Sequence, residues 1–70
     1  MTGSELRQLR RDLHVTQQEL ADCAGRPWRA ILTIERDEVL VDPAEMDALA
    51  DHVRRLARER VDRLAPVTEG

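Results

Sequence analysis

The chain has 70 residues, a net charge of −3, one cysteine and a single aromatic residue, Trp28. That length allows one small domain burying only about 60% of its unfolded surface, so well-made helices or a partner must supply stability. A lone cysteine excludes an internal disulfide, and the acidic total argues against strong nonspecific nucleic-acid binding.

Helix starts come first in the chain and recur with one pattern. Thr2, Thr16 and Asp42 each stand three residues before a glutamate: Glu5, Glu19 and Glu45. A cap oxygen there accepts the backbone N–H three residues on, and the glutamate reaches back to the cap's own N–H. Pro43 adds a pre-set φ at a first helical position.

The first helix is predicted from Gly3 to Leu13, with Leu6, Leu9 and Leu13 on one face. His14 is expected to end it in a left-handed conformation. The second helix is predicted from Gln17 to Ala24, with Leu20, Ala21 and Ala24 inward and Gly25 turning the chain at positive φ. The third is predicted from Pro27 to Arg36, with Ile31 and Ile34 inward, followed by a loop from Asp37 to Val41.

The last helix is predicted to run from Pro43 up to Pro66, because nothing between them stops it. Its apolar positions, Met46, Leu49, Ala50, Val53, Leu56, Ala57, Val61 and Leu64, keep a helical period. A rod of that length outreaches three short helices. The stripe Val53, Leu56, Ala57, Val61 and Leu64 is therefore expected to seek a second copy. The domain is read as residues 1–65, with the dimerisation helix at 43–65 and a frayed tail at 66–70.

Charge is placed unevenly along these elements. Residues 1–36 carry six arginines against five acids, residues 37–53 carry six acids and no base, and residues 54–70 carry five arginines against three acids. The arginines of the last helix read as the solvated side of an amphipathic helix. No apolar run suits a membrane span or a signal peptide, so an intracellular, soluble protein without a membrane partner is expected.

No catalytic constellation or phosphate loop stands out, so an enzyme is not expected, and no cofactor or metal is implied. Cys23, His14 and His52 stand far apart in the sequence, in no zinc-ligand spacing. Nothing beside Cys23 in the sequence favours a reactive thiolate, so Cys23 reads as a half-buried small residue and His52 as a surface one.

The segment 17–36 has the spacing of a helix-turn-helix. Ala21 is small where a second helix crosses, Gly25 makes the turn, and Ile31 and Ile34 pack the second helix down. With "LRQLRRDLHVTQQELA" at 6–21, Gly25 and "ILTIER" at 31–36, the chain resembles the phage-repressor (Cro-like, or XRE) family of regulators. The resemblance covers Leu6 to about Val53. It implies an all-α, lambda-repressor-like bundle of four helices, here with a long C-terminal one.

The resemblance also implies a function: a sequence-specific transcriptional regulator, typically a repressor, that binds a palindromic DNA operator as a homodimer. A cytoplasmic setting, prokaryotic or phage-encoded, goes with it. By position, Arg10 and Glu35 match the family's internal salt bridge. Gln17 matches a glutamine that contacts phosphate and braces the reading helix. Trp28, Arg29, Leu32 and Thr33 match its outward positions. Arg29 suits guanine, Leu32 a thymine methyl, and Arg11, Arg26 and Arg36 suit phosphates.

The chain departs from the family at several of these positions. Arg26 stands where a buried aliphatic is usual, Pro27 where a cap is usual, and Asp37 where a glycine is usual. Trp28 is open to two readings: folded inward to fill the missing aliphatic place, or exposed at a contact. An exposed Trp28 and Leu32, with the acidic loop, would suit a second function class: a protein-interaction module such as an adaptor, regulatory subunit or antitoxin-like partner.

Overall fold

The computed structural model describes residues 1–64, with side chains up to Val61. Four helices form it: α1 (Gly3–Asp12), α2 (Gln17–Ala24), α3 (Trp28–Glu35) and α4 (Pro43–Leu64). The described residues contain no strand. Among them, no helix is long and apolar enough to cross a membrane. The frayed tail expected at 66–70, and Ala65, lie outside the described residues, as does the side chain of Leu64.

Two of the three expected capping boxes form. Thr2 Oγ1 accepts from Glu5 N at 3.1 Å while Thr2 N donates to Glu5 Oε1 at 2.7 Å. Thr16 and Glu19 repeat the exchange at 3.0 and 2.8 Å. The third box does not form. Glu45 pairs instead with Arg26, drawn across from the α2–α3 turn.

The helix ends follow one rule. His14, Gly25 and Asp37 all have positive φ, at 58°, 68° and 58°. At each, that residue's N–H reaches back three positions and the next N–H reaches back five. The longer bonds are Val15 N to Arg10 O (2.9 Å), Arg26 N to Ala21 O (2.9 Å) and Glu38 N to Thr33 O (3.1 Å). These are Schellman turns, which satisfy carbonyls a helix end leaves unpaired. They stop α1 at Asp12 and α3 at Glu35, one residue short of the expected ends. Pro27 is extended at φ −67° and ψ 147°, so α3 begins at Trp28 and not at Pro27.

Asp37 does more than turn the chain. Its Oδ1 accepts the Gly3 N–H at 2.8 Å and its Oδ2 accepts the Ser4 hydroxyl at 3.1 Å. The end of α3 thereby caps the start of α1. The approach is so close that a Cβ on Gly3 would collide with the Ile34 carbonyl oxygen.

Leu6, Val15, Leu20, Ala21, Ile31 and Ile34 are buried together against Met46, Leu49, Ala50 and Val53 of α4. Each large aliphatic among them contributes on the order of 1.5–3 kcal/mol. Ala21 has no exposure where α2 and α3 cross. Leu9, Leu13 and Ala24, expected inside, are half-buried at its margin.

The C-terminal half of α4 corrects an expectation. Val53 is fully buried in the chain's own core, so it presents nothing to a second copy. Leu56 is partly buried against the same core, and Ala57 is half-buried. Arg60 reaches back to the His14 carbonyl and to Glu19, at 2.6 Å from its carboxylate. The α1–α2 turn thus lies over α4 well past its midpoint. Among the described members of the stripe expected to pair two copies, Val61 stands exposed, at 63%.

Candidate nucleic-acid interface

At the centre of the helix-turn-helix lies a chain of polar contacts. Arg10 Nε donates to Glu35 Oε2 at 2.7 Å and Arg10 Nη2 to Oε1 at 3.0 Å, a two-point clamp between α1 and α3. The third donor, Arg10 Nη1, meets the Val15 carbonyl at 2.9 Å. The Glu35 side chain is 1% exposed, so its charge is balanced almost wholly by protein donors. This is the pair the resemblance implies.

Gln17 completes the carboxylate's shell and carries the contact outward. Its Nε2 donates to Glu35 Oε1 at 3.0 Å. Its Oε1 accepts the indole Nε1–H of Trp28 at 3.0 Å. The two donations fix the amide's orientation, because one end must accept and the other donate. Trp28 is 43% exposed. Of its two readings, the exposed one is what the structure contains; the ring lies on the surface, tied by its nitrogen to α2.

Beside this relay runs a groove between α1, the α1–α2 turn and α3. Arg7, Arg10, Arg11, Gln17, Leu32 and Arg36 contribute to its walls. Arg10 is committed to Glu35. Among the described residues Arg7, Arg11, Arg29 and Arg36 make no ion pair. Three of these four cations line the one groove, in a chain that is acidic overall. The arrangement suits a partner with several negative charges spaced along a strand.

On α3 and at its C-cap, Arg29, Leu32, Thr33 and Arg36 recur at helical spacing on the outward face. Arg29 and Arg36 are exposed, while Leu32 and Thr33 are half-buried. The Thr33 hydroxyl donates to the Ala30 carbonyl at 2.9 Å, so its lone pairs are what it presents.

Arg26, expected among the phosphate contacts, is not part of the groove; its guanidinium is held by Glu45 of α4. Arg26 is half-buried there. Arg7 was missed. Its signal is the i,i+4 spacing to Arg11, which puts both on one side of α1.

Cys23 and His52, distant in the sequence, are neighbours in space. Sγ lies 3.4 Å from His52 Nδ1, and Arg55 reaches both. Cys23 is half-buried as expected, and His52, expected at the surface, is half-buried beside it because α4 crosses α2 at this point. Among the described residues no three His, Cys, Asp or Glu side chains are gathered to hold a metal ion. Compared with protein-family models, with curated proteins and with solved structures, the chain matches none.

Proposed function

We propose that this chain is a DNA-binding regulator of helix-turn-helix type. α3 would enter the major groove, with Arg29 at base edges and Leu32 and Thr33 beside it. Arg7, Arg11 and Arg36 would meet backbone phosphates and set the register. The observation that carries the reading is the convergence of Arg7, Arg11 and Arg36 on one groove along α3. Local charge favours DNA there although the total is −3.

A palindromic site read by two copies belongs to the same proposal. Its contact cannot rest on Val53, which fills the core. Selection of bound sequences from a random duplex pool tests the proposal, with sedimentation giving the stoichiometry. A recurrent motif is expected, and absence of enrichment at low salt overturns it.

A protein-binding reading has one specific support. Leu40 is fully exposed and Val39 is 47% exposed, in the acidic loop that follows α3. With Trp28 they are large apolar side chains left on the surface. Against it, Leu32 is half-buried and lines the basic groove, among whose residues Trp28 is not found. Failure of duplex selection would turn attention to this loop.

A further inference from the structure

Outside the basic groove, three reactive or charged side chains from two helices converge. Cys23 of α2 is half-buried. Its Sγ lies 3.4 Å from Nδ1 of His52 on α4. Arg55, one turn further along α4, places Nη2 3.4 Å from Sγ and 2.8 Å from Nδ1. A guanidinium only donates, so Nδ1 accepts and the neutral ring carries its proton on Nε2. Nδ1 is thus a basic nitrogen facing a thiol, with a fixed cation beside both. A cavity lined by Ala24, Arg26, Glu45, Ala48 and His52 opens next to the ring.

We propose that Cys23 is a modification site for low-molecular-weight disulfides, with His52 as the acceptor of its proton and Arg55 as the thiolate's counter-ion. The proton passes from Sγ to Nδ1. Arg55 Nη2, no longer accepted by the protonated nitrogen, donates to the sulfur it already reaches. The thiolate attacks one sulfur of the disulfide; a new S–S bond forms and the old one breaks. The departing thiolate takes the proton from His52 and leaves as a thiol. Cys23 is oxidised to a mixed disulfide and the other half of the reagent is reduced, so no further reactant is needed.

A cation and a base beside a cysteine are the surroundings that generate reactive thiols. Arg55 is itself held above the usual guanidinium range, first by its hydrogen bond to Cys23 and then by the sulfur's charge. The inference is independent of what the groove binds.

The test uses the fact that Cys23 is the chain's one cysteine, so every mixed disulfide belongs to it. The probe is dithiodipyridine, an uncharged disulfide whose released thiopyridone is read by absorbance at neutral pH. The native chain is expected to react about tenfold faster than the same chain unfolded in urea. His52→Asn and Arg55→Gln, checked for helix content by circular dichroism, are each expected to bring the rate close to the unfolded value. A native thiol no faster than the unfolded one overturns the proposal. So do two folded variants that both keep the native rate. If a variant fails to fold, the comparison of native and unfolded wild-type chain still decides.

Discussion

Trp28 donates its indole N–H to Gln17 across 3.0 Å, and so ties the first turn of α3 to the first turn of α2. Gln17 in turn donates to the buried Glu35. The exposed indole is thereby linked to the buried Glu35 carboxylate through one amide. Gln17→Ala breaks both links and leaves Glu35 short of a donor. Loss of one such hydrogen bond to a charged group costs about 1.5–3 kcal/mol, which urea unfolding resolves. Trp28 is the only tryptophan, so its fluorescence reports the same site. Its emission is expected to shift in Gln17→Ala and on adding duplex DNA. A spectrum indifferent to DNA would place the ring away from the bound strand.

Arg10 and Glu35 form the least exposed ion pair among the described residues. Their side chains are 11% and 1% exposed. Arg10→Met strands a buried carboxylate, at a cost of about 3–5 kcal/mol, a large part of what a domain this size has. The double variant Arg10→Met with Glu35→Leu removes both charges and is expected to recover much of the loss. Thermal unfolding of the two singles and the double gives the coupling directly. Additive losses would show that the pair does not act as a unit.

Local features of this fold were legible in the sequence, and long-range ones were not. Thr2, Thr16, His14 and Gly25 mark helix ends through bonds to residues at most five positions away, so their meaning is written nearby. Asp42 looked the same but lost its glutamate to Arg26, since which acid an arginine meets depends on how α2 and α4 cross. The same crossing brings Cys23 to His52 and sends Arg60 to His14 and Glu19. Spacing along the chain carries no record of it. For the candidate site, the resemblance supplied Arg10, Glu35 and Gln17. The exposure of Trp28 and the meeting of Arg7 with Arg36 in one groove needed the packed helices.

Gly3 tests the closeness of α1 and α3. A methyl group there would press on the backbone oxygen of Ile34, which cannot swing aside as a side-chain tip can. Although alanine is the better helix former, Gly3→Ala is expected to destabilise by about 1–3 kcal/mol, the usual cost of overpacking. The midpoint of a urea titration reads it. A variant as stable as the wild type would mean that the ends of α1 and α3 separate without cost.

Leu56 and Val61 distinguish packing within the chain from pairing between chains. Leu56 is partly buried on the core, whereas Val61 is 63% exposed. Leu56→Asn is expected to lower stability with no change in sedimenting mass. Val61→Asn is expected to leave stability within about 0.5 kcal/mol of wild type, as surface changes do. A drop from dimer to monomer in Leu56→Asn alone, at unchanged stability, would restore it to an interface.

Glu19 makes stability depend on acid. Its carboxyl is held below the usual range, first by the backbone N–H of Thr16 and next by the Arg60 side chain. A carboxyl with a depressed folded-state value binds its proton less readily folded than unfolded. Its contribution is complete above the unfolded value, near about 4.3, and is lost as pH falls through the folded one. Its pair with Arg60 is about two-fifths exposed on each side, so screening by water keeps the effect modest. Glu19→Gln is expected to flatten that acid limb when urea midpoints are compared across pH. Parallel curves for wild type and variant would assign the acid dependence elsewhere.

On the proposed reading, four arginines would separate two kinds of DNA contact. Arg29 is exposed on α3, while Arg7, Arg11 and Arg36 line the groove. A base contact discriminates between sequences, and a phosphate contact does not. Arg29→Ala is expected to weaken binding to a selected site by about 1–3 kcal/mol while leaving random duplex nearly untouched. Arg11→Gln is expected to weaken both alike, and to reduce the salt slope of the affinity by about 0.9 as one phosphate contact is lost. Arg7→Gln and Arg36→Gln should behave as Arg11→Gln does, because all three face one groove. Fluorescence anisotropy of labelled duplexes at several salt concentrations yields affinity and slope together. If Arg29→Ala lowered the slope and spared the preference, α3 would lie along the backbone and the base reader would have to be another residue. If none of the four changed the affinity, the duplex would not occupy this face at all.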